Sequence, residues 1–394
     1  MSNLTRLFEI PLNVDNISQE ILNVENRNRT SNFAWKGQFS PQFIEAMLRH
    51  YGKGKQRVLD PFSGSGTVLY EASLIGMEAV GVELNPSAYY MSKFYELGNL
   101  TKLEQDKIIL EIQATIDNLL LEEDLLDLTK KISSMKGIKK DIFSLIVILT
   151  NVKKGEMIQL NDFLKSWLMV KSNFLNLVEG SNIRVYNSDF RNSKLQTRKF
   201  DLILTSPPYI NVFNYHENYR QSAEILGFNI LEVAKSEVGA NRKNRGNRFL
   251  TVIQYLIDMS LIISELLRVA SFDAKIIFIV GRLSKVLGVE FYNSELIVRI
   301  FEDIFSQKVS QRQERKFKNR FGQQIVEDIL HIDFVDFPKL DESEVVQKAR
   351  EIAYGELTSI ELSSVQDKNV ELLKQAINKI NFVEPSKIMG EEYV

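Results

Sequence analysis

Short apolar runs alternate with helical patterns in two separate stretches of the chain. In the first, runs at 57–59 and 78–82 have the composition of buried strands, and apolar residues recur at helical spacing at 42–51, 68–75 and 86–95. In the second, strand-like runs at 183–186, 200–206, 274–281, 308–317 and 325–334 alternate with helical patterns at 250–269 and 294–304. This order predicts an α/β fold with a parallel sheet and helices on both faces.

The alternating stretches predict a core at 36–98 and 181–338. Three other stretches lack this alternation and are expected to be additions to that core. Residues 99–180 carry helical patterns at about 101–128, 139–150 and 158–178, with eleven Lys or Arg against twelve Asp or Glu. We interpret them as a helical insertion packed on the core, with a role in recognition as the alternative. Residues 1–35 are polar and weakly periodic, which predicts an arm or lid rather than core. Residues 339–394 contain eleven acids against seven bases and predict an acidic helical tail.

The composition is that of an ordinary globular protein: 394 residues, of which 44% are hydrophobic and 25% charged. The longest strongly apolar stretches, such as 142–149, are far shorter than a membrane span, so no membrane partner is expected. The N-terminal residues have no apolar signal-peptide core, which predicts a cytoplasmic protein. A net charge of −2 gives no overall attraction for nucleic acid, so any such contact depends on local basic segments.

The chain contains no cysteine and only three histidines, His50, His216 and His331. Disulfides, thiolate metal sites and cysteine nucleophiles are therefore excluded. The histidines show no paired spacing, so no metal site is expected.

A glycine turn follows the first strand, with the sequence Asp60-Pro61-Phe62-Ser63-Gly64-Ser65-Gly66-Thr67. Glycines at a strand-to-helix turn permit unusual φ angles and let a ligand approach the main chain. Leu69 replaces the third glycine of a dinucleotide fingerprint, and no phosphate-binding lysine follows. A dinucleotide or a nucleoside triphosphate is therefore disfavoured as the ligand.

Acidic residues stand at the ends of three successive predicted strands: Asp60, Glu83 and Asp189. Glu83 is placed to bind ribose hydroxyls, as an acid at the end of the second strand does in nucleotide-binding sheets. Asp189 is placed to hold an adenine amino group. Together with the glycine turn, these acids predict S-adenosyl-L-methionine as the ligand.

A stiff loop, Thr205-Ser206-Pro207-Pro208-Tyr209, follows the fourth strand. Proline fixes φ and lacks a backbone N–H, so the loop presents acceptors. Ser206 and the Pro207 carbonyl can accept both N–H groups of an amine on a nucleobase, which favours the tetrahedral amine that attacks a methyl group. Tyr209 can stack on the base and hold it in line. The alternative is a purely structural loop whose tyrosine covers the core.

These two motifs resemble those of the amino-methylating DNA methyltransferases of restriction–modification systems, specifically the cytosine-N4 branch. The resemblance covers about 36–98 and 181–335, and it includes Gly37-Gln38-Phe39-Ser40-Pro41, which in the family packs near the methionine end of the cofactor. Serine at the first catalytic position is commoner for cytosine N4, and Asp or Asn for adenine N6. The helical stretch between the second and third strands departs from the usual placements of the target-recognition region.

The resemblance implies an S-adenosylmethionine-dependent methyltransferase (Rossmann-like) fold with a helical insertion and a short helical C-terminal extension. It implies double-stranded DNA as the substrate and a cognate restriction endonuclease as a partner. The implied catalytic residues are Ser206, Pro207, Pro208 and Tyr209. The implied cofactor-binding residues are Phe39, Ser40, Asp60, Phe62, Gly64, Gly66, Thr67, Glu83, Asp189 and Thr205.

Two basic segments are candidate DNA contacts, because basic loops spaced by Gly and Asn suit phosphate groups. The segment 235–248 contributes Arg242, Lys243, Arg245 and Arg248, and the segment 311–320 contributes Arg315, Lys318 and Arg320. The alternative for each is an ordinary solvated loop.

Several functions stay open beside methylation of cytosine N4. The same type of site can methylate adenine N6, or an amine of RNA or protein. A non-catalytic DNA-binding or scaffold subunit with a methyltransferase fold is a different class, which the intact glycine turn and catalytic loop disfavour.

Overall fold

The computed structural model describes residues 5–12, 17–121, 128–210, 214–239, 244–318, 322–336 and 338–389. Its strands are β1 (Arg57–Asp60), β2 (Glu78–Glu83), β3 (Ile183–Asn187), β4 (Phe200–Thr205), β5 (Ala270–Gly281), β6 (Leu283–Val286), β7 (Val289–Tyr292), β8 (Val309–Lys318) and β9 (Gln324–Asp333). Its α-helices are α1 (Thr5–Glu9), α2 (Gln19–Asn23), α3 (Pro41–Tyr51), α4 (Thr67–Leu74), α5 (Pro86–Lys93), α6 (Lys102–Leu121), α7 (Leu128–Ser134), α8 (Gly137–Leu149), α9 (Leu160–Phe174), α10 (Arg220–Ile225), α11 (Ile230–Ser236), α12 (Phe249–Val269), α13 (Asn293–Arg299), α14 (Glu342–Thr358) and α15 (Asp367–Asn378).

Seven strands form one sheet in the order β3-β2-β1-β4-β5-β9-β8. The first five are parallel, as predicted, whereas β9 runs antiparallel to β5 and β8 antiparallel to β9. The predicted α/β fold is confirmed, and its sheet is mostly parallel. At this edge the strands are antiparallel, because the short connection between β8 and β9 cannot span a parallel crossover. The strand order reverses between β1 and β4. Ligands bind at such a switch point, beyond the carboxyl ends of the strands.

Alternate residues of β5 face two hydrophobic cores on opposite sides of the sheet. Ile276, Phe278 and Val280 belong to the core that α12 and the tail helix α14 cover. Ile277 and Ile279 belong to the other, which α3 and the insertion helices α8 and α9 cover. This alternation is the period of two that a strand buried on both faces must show. The insertion and the acidic tail therefore each complete one face of the central sheet.

Helix α12 is long and apolar enough, by length and composition, to cross a membrane, and it is longer than the apolar stretch at 142–149. In this protein, 78% of its most apolar window is buried. Its side chains supply the centre of one core, from Phe249 to Val269. One such helix is weak evidence for a membrane span.

The described part of the N-terminal segment contributes side chains to both hydrophobic cores, so the prediction of an arm or lid rather than core was wrong for these residues. Leu7, Leu22 and Phe33 are completely or almost completely buried. The Leu7 N–H donates a hydrogen bond of 2.8 Å to Glu295 Oε2. The apolar residues are too widely spaced among polar ones to form a recognisable helical stripe in the sequence. The β6–β7 hairpin was not predicted either.

Gly66, the N-cap of α4, lies in the left-handed region with φ of 84°, and a Cβ there would lie 2.8 Å from the Tyr95 ring. Gly76 has a similar φ of 74°, but nothing lies within 4 Å of its Cβ position. We expect Gly66→Ala to lower the free energy of unfolding by about 2–4 kcal/mol, because overpacking adds to backbone strain. Gly76→Ala, the matched control, should cost about 1 kcal/mol. Urea denaturation measures both, and equal losses would show that Tyr95 moves aside freely.

Candidate active site

A cleft of about 1670 Å³ opens at the carboxyl ends of the parallel strands. Most of the residues predicted for the cofactor and the catalytic loop line it: Phe39, Ser40, Asp60, Phe62, Gly64, Thr67, Glu83, Asp189, Ser206, Pro208 and Tyr209. Gly66, Thr205 and Pro207 belong to the same turns but are not part of the cleft lining. Two motifs that are far apart in sequence thus share one cleft.

A buried hydrogen bond joins the two motifs. The Thr205 hydroxyl, at the end of β4, donates to Asp60 Oδ1, at the end of β1, over 2.7 Å. The Phe62 N–H donates to the same oxygen over 3.1 Å. Burial raises the pKa of Asp60 to about 7, against which both hydrogen bonds act. The bond fixes the catalytic loop beside the glycine turn.

Glu83 holds the glycine turn from the neighbouring strand. The Gly64 N–H donates to Glu83 Oε2 over 2.8 Å, and the Asn85 N–H donates to Oε1 over 2.7 Å. Burial raises the pKa of Glu83 to about 7, and the nearby Asp60 and Glu237 add to the effect. Each carboxylate oxygen retains a lone pair. Glu83 can therefore accept from a pair of ribose hydroxyls.

Asp189 reaches the cleft as part of a buried ion-pair cluster that the sequence did not predict. Arg191 donates from Nε to Asp189 Oδ1 over 2.9 Å and from Nη1 to Asp258 Oδ1 over 2.7 Å. The Ser386 N–H also donates to Asp258, which ties the C-terminal segment to this cluster. An adenine amino group at Asp189 has to use the lone pairs that Arg191 leaves.

An aromatic wall covers the glycine turn, and sequence reasoning missed most of it. The Trp35 ring lies 3.3 Å from the Cβ position of Gly64 and stacks parallel to Tyr215, with 6.5 Å between ring centroids. Gln38 Oε1 accepts from the Ser65 hydroxyl over 2.8 Å and from the Trp35 N–H over 3.0 Å. The position of Trp35, beside the Gly37–Pro41 segment, was the available signal.

Tyr209 packs on the end of β5. A Cβ on Gly281 would lie 2.7 Å from the Tyr209 ring, so only glycine leaves room for it. The Tyr209 hydroxyl lies 3.0 Å from Ser206 Oγ and 3.4 Å from Glu327 Oε1. Burial raises the pKa of Tyr209 well above its ordinary value, so the hydroxyl stays protonated. Glu327 and Gly281 were not among the predicted site residues.

The segment at 311–320 was predicted both as part of a strand and as a basic DNA contact, and its described part is a strand. Residues 311–318 belong to strand β8, and Arg315 is only 6% exposed, with Nη1 3.2 Å from Glu327 Oε2. The prediction of Arg315 as an exposed phosphate contact was wrong, because strand alternation turns it inward. Lys318 is exposed at the cleft, whereas Arg245 and Arg248 are exposed away from the cleft lining. Arg242, Lys243 and Arg320 lie outside the described residues.

The polar groups of the cleft fit S-adenosylmethionine. Within the described ranges, the Ser40 hydroxyl is buried without a hydrogen-bond partner at the start of α3, where the resemblance places the methionine end of the cofactor. Glu83, which accepts the Gly64 N–H of the glycine turn, offers acceptors for the ribose. Among the same residues, no group of three His, Asp or Glu side chains could hold a metal ion.

Glu83→Gln should weaken S-adenosylmethionine binding by about 1.5–3 kcal/mol, the scale for hydrogen bonds to a charged group. Ribose hydroxyls donate best to the ionised Glu83 carboxylate. Because the pKa of Glu83 is raised to about 7, binding below pH 7 requires this carboxyl group to lose its proton. The parent affinity should therefore rise up to about tenfold from pH 6 to pH 8, and the variant should lose most of this rise. Calorimetry checks this, with Glu78→Gln at the other end of β2 as the control. An unchanged affinity in the Glu83 variant would remove this residue from the site.

Comparison with known proteins adds sequence evidence. A family profile described as DNA methylase matches residues 11–94, which include the glycine turn and Glu83. The type II methyltransferase M.MjaII of Methanocaldococcus jannaschii is 32% identical over 79 residues, 19% of this chain and 15% of that protein. A tRNA (guanine(10)-N2)-dimethyltransferase of Methanothermobacter thermautotrophicus is 37% identical over 70 residues, 18% of this chain and 20% of that protein. The matched segments thus span a fifth or less of these relatives.

Solved structures resemble the chain more broadly and at lower identity. TrmN from Thermus thermophilus is 12% identical, with 76% of this chain and 50% of that chain covered and a TM-score of 0.35. The strand order and the cleft are those of the α/β S-adenosylmethionine-dependent methyltransferases, and S-adenosylmethionine is the cofactor. The profile match and the type II relatives support a DNA methyltransferase of the N4/N6 amino-methylating family.

Proposed function

We propose that the protein transfers a methyl group from S-adenosylmethionine to the exocyclic N4 amine of a cytosine flipped out of double-stranded DNA. The observation that supports this most directly is the position of the catalytic loop. Ser206-Pro207-Pro208-Tyr209 leaves β4 at the switch point, and Thr205 binds it to the first residue of the glycine turn. An amine held by this loop lies next to the cofactor pocket.

Different residues of the loop position the amine and the ring of the target base. Ser206 Oγ and the Pro207 carbonyl accept the two amine N–H groups, so the nitrogen lone pair is turned away from the ring and toward the methyl group. Tyr209 stacks on the base, and its protonated hydroxyl can donate to Ser206 Oγ, which lies 3.0 Å away. When bound, S-adenosylmethionine supplies the methyl group. In-line transfer needs this alignment and no covalent intermediate.

Two other acceptors have specific support. Adenine N6 presents the same kind of amine, and the name of the matched family profile includes both N6 and N4. The match to a tRNA guanine-N2 dimethyltransferase favours an RNA amine. Serine at position 206, where adenine-directed relatives of the resembled family present a carboxylate or an amide, supports cytosine as the first choice.

DNA is proposed to lie over the open side of the cleft. Lys318 is exposed at the cleft, and Arg245 and Arg248 are exposed before α12. Phosphate contacts from such side chains orient the duplex without reading its sequence. Type II relatives support a cognate restriction endonuclease as a partner.

Nucleoside analysis tests the proposed function. The protein is incubated with methyl-labelled S-adenosylmethionine and either unmethylated genomic DNA or tRNA, and each product is digested and analysed by mass spectrometry. We expect label in N4-methyldeoxycytidine. Label only in N6-methyldeoxyadenosine would favour adenine, and label only in methylguanosine from tRNA would favour RNA. A protein that binds the cofactor and labels neither would contradict an enzymatic function on nucleic acid.

Tyr209→Ala should lower the rate of methyl transfer by about 5- to 150-fold, which corresponds to the loss of one base-stacking contact of about 1–3 kcal/mol. Affinity for S-adenosylmethionine should change much less, because the ring serves the acceptor base. Tyr186→Ala, at an exposed tyrosine of β3, is the control for removal of a tyrosine ring. Equal losses of cofactor affinity and rate would show that Tyr209 has only a structural role.

Charge reversal of Arg245 and Arg248 together should weaken DNA binding and flatten its salt dependence, because each phosphate contact releases counterions. Fluorescence anisotropy at several salt concentrations measures the slope. Charge reversal at the exposed pair Lys107 and Lys139, on helices of the insertion, is the control. If the control pair flattens the slope instead, DNA lies on the insertion.

A further inference from the structure

Three neighbouring strands place a row of side chains beside the catalytic loop. Gly281 of β5 is paired in register with Glu327 of β9, and Glu327 is paired with Arg315 of β8. Residues paired across strands project on the same face of a sheet. Because Gly281 has no side chain, the Tyr209 ring occupies its place in the row. The row therefore consists of Tyr209, Glu327 and Arg315, all in the wall of the cleft.

Arg315 is buried, and some of its N–H donors have no hydrogen-bond partner among the described residues. Its guanidinium lies over the rings of Phe43 and Phe317, 4.2 Å and 4.7 Å from their centroids. Nη1 donates to Glu327, while Nε is buried without a hydrogen-bond partner among the described residues. Burial lowers the pKa of Arg315 and raises that of Glu327, and each partner offsets the cost of burying the other. A guanidinium has five N–H donors, so this arrangement leaves most of them for a ligand.

We propose that Arg315 contacts the acceptor edge of the target base and that Glu327 holds it in position for this contact. The proposal rests on the proposed function and deepens it, since it concerns which base the site accepts. Glu327 also lies 3.4 Å from the Tyr209 hydroxyl, so one carboxylate orients both the stacking ring and the guanidinium. This side of the cleft lies across the switch point from Glu83, which places Arg315 with the acceptor.

The chemistry of the bases gives this contact its specificity. Cytosine presents two acceptors, N3 and O2, beside its N4 amine, and these match the donor pairs of a guanidinium. On its Watson–Crick edge, adenine presents one acceptor, N1, followed by a C–H group. With the amine held at Ser206, Arg315 can make two hydrogen bonds to cytosine and one to adenine. With adenine in the site, one buried N–H donor of Arg315 would have no acceptor, and this cost selects cytosine.

Variants of Arg315 separate base contact from cofactor binding. In the nucleoside assay with genomic DNA, we expect Arg315→Met to lower methylation of cytosine by about 10- to 100-fold, the value of a bidentate base contact. Affinity for S-adenosylmethionine should stay within about twofold. The methylation rate of Arg315→Lys should lie between those of the parent and Arg315→Met, because lysine keeps the positive charge but lacks the paired N–H donors of a guanidinium. Lys308→Met, at an exposed lysine just before β8 and away from the cleft lining, is the control for loss of a positive charge.

Removing Arg315 alone leaves Glu327 unpaired, so the double variant Arg315→Met/Glu327→Gln is measured in parallel. Its cytosine methylation should be as low as that of the single variant if base contact is lost in both. An equal fall in cofactor affinity and rate would overturn the proposal, since Arg315 would then bind the methionine carboxylate of the cofactor. An unchanged rate in both variants would also overturn it.

A binding measurement keeps the proposal independent of activity. In protein labelled with ¹⁵N-arginine and loaded with S-adenosylhomocysteine, the Nε–H signal of Arg315 is assigned by its loss in Arg315→Lys. Deoxycytidine monophosphate should shift this signal more than deoxyadenosine monophosphate does. The two probes share the phosphate, so equal shifts would assign the contact to phosphate and overturn the proposal. A cytosine-specific shift in a protein that methylates no DNA would contradict the proposed function alone.

Discussion

The hydrogen bond from Thr205 to Asp60 is the interaction on which the rest of the site depends. It spans the switch point between β4 and β1, where the strand order reverses, and it is buried on both sides. Asp60 begins the glycine turn, and Thr205 precedes the catalytic loop. One short contact therefore holds the 205–209 loop beside the glycine turn. Burial raises the pKa of Asp60, so keeping this carboxylate ionised lowers the stability of the fold. Such local costs are typical of functional sites.

Close approach is the second constraint, and glycine satisfies it on both sides of the switch point. Gly66 lets Tyr95 pack against the start of α4, and Gly281 lets Tyr209 lie on the end of β5. Gly64 lets Trp35 lie close to the glycine turn, and its N–H donates to Glu83. The two sides of the cleft thus share an aromatic ring over a glycine, with a partly buried acid nearby, Glu83 on one side and Glu327 on the other.

The sequence predicted the features that local chemistry determines. The donor turn and the catalytic loop carry their signal in a few consecutive residues, and the strands before them are short apolar runs, so β1, β2, β3 and β4 lie where expected. The strand at 308–317 was predicted, but the direction of its basic side chains was not, because the face on which Arg315 lies is known only once its partner strand β9 is known. The cluster of Asp189, Arg191 and Asp258 joins three distant segments, and no local pattern reveals it. Leu7 and Phe33 were missed since isolated apolar residues show no periodicity.

Hydrogen exchange with and without S-adenosylmethionine tests most directly that the glycine turn and Glu83 form the cofactor half of a two-part cleft. The account predicts slower exchange at the backbone N–H groups of residues 62–67 and 83–85 and in the covering segment 35–40 when the cofactor is bound. The far side of the cleft, at 324–327 on β9, should change little until a nucleic acid is added. Protection by the cofactor that is absent from 62–67 and appears elsewhere would contradict the account.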